Sequence, residues 1–156
     1  MAEEPTYLRL LNVVAVTEWQ AHQYLGKWLE TTIDPVVQAT LRVVVPREGE
    51  HGMAFAKRIS ELGFEVDDTA GYDVQAKIDF AASDASDLEK MERYGIYKYY
   101  VPDGPDVFDD WFKDHSIDIA TAELMGRHIA EERDSLRLIS ECHDHLKARH
   151  DAAVPA

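Results

Sequence analysis

Glu48 and His51 stand three residues apart in the stretch VVVPREGEHGMAFAKRISELG, residues 43–63. On a helix that spacing places a carboxylate and an imidazole on one face. Such a pair can hold a divalent cation or move a proton. The same stretch is weak as a helix: Pro46 costs about 3 kcal/mol in a helix interior, and Gly49 and Gly52 about 1 kcal/mol each. A lone Glu-x-x-His pair most often marks a solvated helix face. Here it interrupts an apolar stripe, which reads Val37, Leu41, Val44, Glu48, His51, Phe55, Ile59, Leu62.

Three further stripes are interrupted in the same way. The first reads Leu8, Leu11, Ala15, Glu18, His22, Leu25, Leu29; the third reads Leu88, Glu92, Ile96, Tyr99; the last reads Ile117, Ala120, Leu124, Glu131, Asp134, Leu138, Cys142. A small rotation of the third stripe exchanges Glu92 for Glu89. Each inward face thus carries a carboxylate. Several carboxylates in one core repel one another and are forced toward protonation unless a cation joins them. Carboxylates with imidazole suit iron or manganese, with zinc as an alternative. Pro46 frees a backbone carbonyl, and helix distortions of this kind recur at functional sites.

The elements that must position these residues are helices. Pro5 suits a first helical position, and the first helix is expected from Pro5 to Glu30. Asp34 and Pro35 open the second as N-cap and first residue, and Gly63 closes it. The connection that follows, 64–83, holds a short helix near Val74–Phe80. Ser86 and Glu89 have capping-box spacing, which starts a third helix running up to VPDGP at 101–105. A short turn, DVFDDWFKD, leads to a fourth helix from Ser116 to Lys147, with 148–156 as a frayed tail. Strand signals are weak. The expectation is all-α: one antiparallel four-helix bundle over residues 1–147, with a long connection between the second and third helices and a short helix before the last.

Composition narrows the partners. A chain of 156 residues is long enough for one domain with a real core. Its net charge of -14 repels nucleic acid and anionic lipid. No apolar run is long enough to cross a bilayer, and the acidic start MAEEPTYLRLL lacks the basic end of a signal peptide. Cys142 is the sole cysteine, which excludes an intrachain disulfide and a thiolate metal cluster. A reduced, cytoplasmic setting is expected.

These residues resemble the ferritin-like di-iron carboxylate superfamily, and within it the rubrerythrin-like group, without a rubredoxin domain. That family places one Glu on each of two helices and Glu-x-x-His on the other two. TEWQAH offers Glu18, PREGEHGMAF offers Glu48 and His51, EKMERYGIY offers Glu92, and IAEERDSLRLI offers Glu131 and Asp134. REGEHGMAFAKRISEL also overlays AEERDSLRLISECHDH without gaps, so Glu48 matches Glu131 and His51 matches Asp134. The family has histidine where Asp134 stands. Either Asp134 is a ligand of an asymmetric centre, or the second metal position is weakened. His22 and His128, one turn from Glu18 and Glu131, are expected behind the ligands. The resemblance implies two iron ions, reaction with dioxygen or peroxide or oxidation of ferrous iron, and an external electron donor. A homodimer through YGIYKYYV, residues 94–101, is also expected. Two other readings stay open: a helical bundle that binds a partner and has a degenerate metal site, and a mononuclear metal enzyme using Glu48, His51 and one further carboxylate.

Overall fold

In the computed structural model, described residues are 3–69 and 73–155; positions 1, 2, 70–72 and 156, the middle of the second connection among them, lie outside. Five α-helices account for most of the described residues, with no strand among them: α1 (Leu8–Thr31), α2 (Pro35–Glu61), α3 (Val74–Ala82), α4 (Asp87–Tyr94) and α5 (Ile119–Ala153). The all-helical expectation holds. The helix lengths differ from it in three places.

The caps account for most of the boundaries. Asp34 accepts the Val36 and Val37 N–H groups at 2.8 and 3.2 Å, with Pro35 opening α2. Gly63 (φ +89) follows the end of α2, where a β-carbon would be strained. Pro5 lies outside α1, in the turn whose carbonyl takes the Leu8 N–H at 3.0 Å. Ser86 and Glu89 form a complete capping box at the start of α4. That helix then stops after two turns, because Gly95 (φ 68) is left-handed. A short 3₁₀ segment, Ile96–Tyr99, replaces the rest of the expected third helix. Three long helices therefore stand where four were expected. At the other end α5 continues to Ala153 through most of the expected tail. Arg149 pairs with Asp34, and buried Leu146 anchors the preceding turn.

α2 remains helical through Pro46, and its glycines explain how it packs there. A β-carbon on Gly49 would stand 2.7 Å from His22 Nδ1, and one on Gly52 would stand 3.0 Å from the backbone nitrogen of Trp19. The two glycines let α1 approach α2 closely beside Glu48 and His51. His22 donates from Nδ1 to the Val45 carbonyl at 2.8 Å, one residue before Pro46.

Two apolar clusters flank this level. One joins Leu25, Trp28, Val37, Leu41, Val44, Ile139 and Cys142. The other joins Leu11, Val14, Phe55, Ile59 and Met125. Glu18 on α1, Glu48 and His51 on α2, and His128, Glu132 and Ser135 on α5 fall between the two. In the expected contact segment 94–101, Ile96 and Tyr97 pack on the first cluster, while Tyr99 is exposed. No helix among the described residues is long and apolar enough to cross a membrane.

Candidate metal centre

Glu18 from α1, His51 from α2, and His128 and Glu132 from α5 each bring a donor atom into one cluster. All four atoms lie within 4.8 Å of one another. Their placement follows from helix phase. The inward face of α5 runs Thr121, Met125, His128, Glu132, Ser135, Ile139, Cys142, Leu146, in alternating steps of four and three. Glu18 lies on the buried face of α1 with Leu11, Ala15 and Leu25. Glu48 and His51 lie on the buried face of α2 with Val44 and Phe55.

The imidazole of His51 sits at the centre and is 1 % exposed. Its Nε2 lies 2.6 Å from Glu131 Oε2, a short hydrogen bond with the ring nitrogen donating. Its Nδ1 lies 3.4 Å from both Glu18 Oε2 and Glu132 Oε1. Those two contacts do not make hydrogen bonds, and all three atoms are buried without a partner, as is His128 Nδ1. Buried polar atoms are rarely left so. Two donors bound to one ion at about 2.1 Å each stand roughly 3.0–3.5 Å apart. His51 Nδ1, Glu18 Oε2 and Glu132 Oε1 are therefore spaced as ligands of a shared cation, with His128 Nε2 3.9 Å from Glu18 Oε1, and nitrogen with carboxylate oxygen is a donor set for iron, manganese or zinc. Glu131, behind His51, holds a proton on Nε2, so Nδ1 is the nitrogen that faces the carboxylates and would give its proton up to a cation.

Electrostatics lead to the same place. Burial, and then the charges of Glu132 and Glu18, push the Glu48 carboxyl well above the usual carboxylate range. Burial is also the main cause that raises Glu18. Burial alone would lower His51, but the nearby carboxylates of Glu132, Glu18 and Glu131 override it and raise the imidazole to about 10. Burial lowers His128 to about 4, so this ring stays neutral and able to donate to a metal. In the metal-free protein His51 is the cluster's cation.

The residues expected from sequence divide into two groups. Glu18, Glu48, His51 and Glu131 meet in this region. Asp134 does not enter it: Oδ2 accepts from Arg47 Nη1 and Oδ1 from Arg137 Nη2, both at 2.8 Å. The two guanidiniums, Arg137 foremost, lower its pKa. Glu92 is also elsewhere, half-exposed, with Oε1 3.6 Å from His143 Nε2. Glu89 is taken up by the capping box. His22 stays behind α2 on the Val45 carbonyl, whereas His128, expected behind the ligands, is in the donor cluster.

Glu132 was not expected. The stripe through Leu124 and Glu131 lies about one residue out of phase with the true inward face, on which Thr121, His128 and Ser135 are polar. The signal that finds it is the four-three register from Met125 to Leu146. Compared with protein-family models, curated proteins and solved structures, the chain matches none.

Proposed function

We propose that this chain is a metal-binding protein of ferritin-like type, with a carboxylate–histidine centre built between α1, α2 and α5, and that it carries out redox chemistry with dioxygen, peroxide or ferrous iron. The observation that carries this reading is the convergence of Glu18, His51, His128 and Glu132, with their buried atoms unpartnered. With Glu48 and Glu131 the region holds four carboxylates and two imidazoles, the complement of a ferritin-like di-iron site. Their arrangement along the chain is different: His128 precedes its glutamates by one turn, and α5 contributes two carboxylates where the short α4 contributes none.

Iron held there would supply one-electron chemistry and open positions for dioxygen or peroxide. The chain's own residues do the rest. Glu131 fixes the tautomer of His51. Glu18 and Glu132 supply negative charge that a cation neutralises, and the flanking apolar clusters exclude water. Electrons would come from an external donor or from ferrous iron, since the lone Cys142 is buried and cannot build a thiolate cluster.

The test is the metal content of protein from iron-supplemented cells, with absorption spectra before and after peroxide. About two irons per chain, a peroxide-dependent spectral change, and loss of both in His51→Ala support the reading. Metal-free protein with an unchanged spectrum sinks it. That result would favour a helical binding protein with a degenerate site. One observation favours this second reading: His51 can itself serve as the cation among the carboxylates.

A further inference from the structure

Two imidazoles face the cluster, and they are held by different means. His51 has a hydrogen bond behind it, to Glu131 at 2.6 Å. A ligating histidine commonly has such a partner, which sets the plane of the ring. His128 has none there: its Nδ1 is buried and unpartnered. Its ring is enclosed by aromatic side chains instead. Trp111 lies parallel to it, with centroids 5.5 Å apart and 6° between planes. Phe55 approaches edge-on at 5.0 Å, and Phe108 at 6.2 Å.

Phe55 belongs to α2, but Trp111 and Phe108 come from the connection between α4 and α5, in the segment DVFDDWFKD that was expected as a short turn. That connection is tied down beside the site. Asp106 accepts from Arg133 Nε at 2.7 Å and Nη2 at 3.1 Å, and the Arg133 guanidinium lies over Phe108 at 5.9 Å. Phe108 is buried and meets Trp111 edge-on at 5.2 Å. Arg133 follows the donor Glu132 directly on α5, so the helix that carries two donors also anchors the segment covering one of them.

We infer that Trp111 is a positioning residue for the metal centre: its stacking fixes the plane of the His128 imidazole, as the hydrogen bond to Glu131 does for His51. The Asp106–Arg133 pair holds Trp111 in that position through Phe108. This rests on the reading of Glu18, His51, His128 and Glu132 as metal donors. An imidazole free to turn about its terminal torsion presents its lone pair to the cluster only part of the time, and a site loosened in this way binds its ion less well.

Trp111→Ala and Trp111→Phe in the full chain test the inference. The probe is cobalt(II), followed by visible absorption and calorimetry, with thermal melts of the metal-free proteins alongside. Trp111→Ala is expected to weaken cobalt binding about 10- to 100-fold, the usual loss when a ligand's support is removed. Trp111→Phe, which keeps a stacking ring, is expected to recover to within about threefold of wild type. In metal-free protein the carbon-bound ring protons of His128 should shift downfield in Trp111→Ala as the indole ring current is lost. Cobalt binding by Trp111→Ala at wild-type strength overturns the inference and leaves the metal reading standing. A Trp111→Phe variant as weak as Trp111→Ala, or His128 protons that do not move, also overturns it. Wild-type protein that binds no cobalt overturns both.

Discussion

His51 joins the metal-facing side of the site to its outer side. One ring nitrogen faces Glu18 and Glu132, and the other donates a hydrogen bond to Glu131. Glu131 and Asp134, three residues apart on α5, should therefore behave very differently when neutralised. Glu131→Gln removes the anionic acceptor and leaves a weaker, reorientable amide. Loss of such a partner lowers metal affinity about 10- to 100-fold. Asp134→Asn removes a carboxylate held by Arg47 and Arg137, a third or more exposed and outside the donor cluster. Its effect on metal affinity should stay within about twofold, and its effect on stability within about 1 kcal/mol. Cobalt or zinc titration of the two variants checks both outcomes. Equal losses would mean that Asp134 is a ligand after all, as the overlay of the two halves suggests.

At the scale of the helix, α1 and α2 were legible almost residue by residue, and α4 and α5 were not. Val37, Leu41, Val44, Glu48, His51, Phe55 and Ile59 are all buried on one face of α2. The stripe was readable because its apolar members are large and its polar pair sits inside it. On α5 the inward face carries Thr121, His128, Glu132 and Ser135, so an apolar stripe drawn through the nearest leucines turns about one residue away from the true face. The end of α4 was hidden for a different reason. Gly95 stops the helix by backbone conformation, while Ile96, Tyr97 and Tyr99 continue a helical pattern beyond it.

The glycines of α2 now have a packing reason that can be tested. Gly49→Ala gains about 1 kcal/mol of helix propensity. It also places a methyl 2.7–3.1 Å from three ring atoms of His22. The ring must then press on α2 or swing out and give up its bond to the Val45 carbonyl. Overpacking costs about 1–3 kcal/mol and a lost hydrogen bond about 1 kcal/mol. The substitution should therefore destabilise the wild-type chain. In a His22→Ala background the obstacle is gone, and the same Gly49→Ala should stabilise. Urea unfolding of the two singles and the double gives the sign in each background. The same sign in both would mean that His22 is not what keeps position 49 a glycine.

Across the whole molecule, a net charge of -14 and several inward carboxylates make metal binding a question of stability as well as of chemistry. The metal-free protein relies on protonation. His51 is raised to about 10, above the value near 6.5 expected of an unfolded chain. A base raised in this way contributes stability that is fully present below about 6.5 and is lost as pH climbs through about 10. Glu18 and Glu48 act in the same direction, because carboxyls raised by burial also bind protons more tightly in the folded state. His128, lowered to about 4, opposes this only at acidic pH. The metal-free chain should thus lose stability between pH 6.5 and 10. A divalent cation reverses that dependence, since it competes with the same protons and binds better as they leave. At a hundredfold excess over its Kd it adds about 2.7 kcal/mol, which raises the Tm of a chain this size by roughly 5–10 °C. Thermal melts with chelator, and with excess manganese or ferrous iron under anaerobic conditions, should therefore diverge as pH rises from 6.5 to 9. If the two curves stay superimposed, the carboxylates are held by His51 alone and the centre does not bind metal.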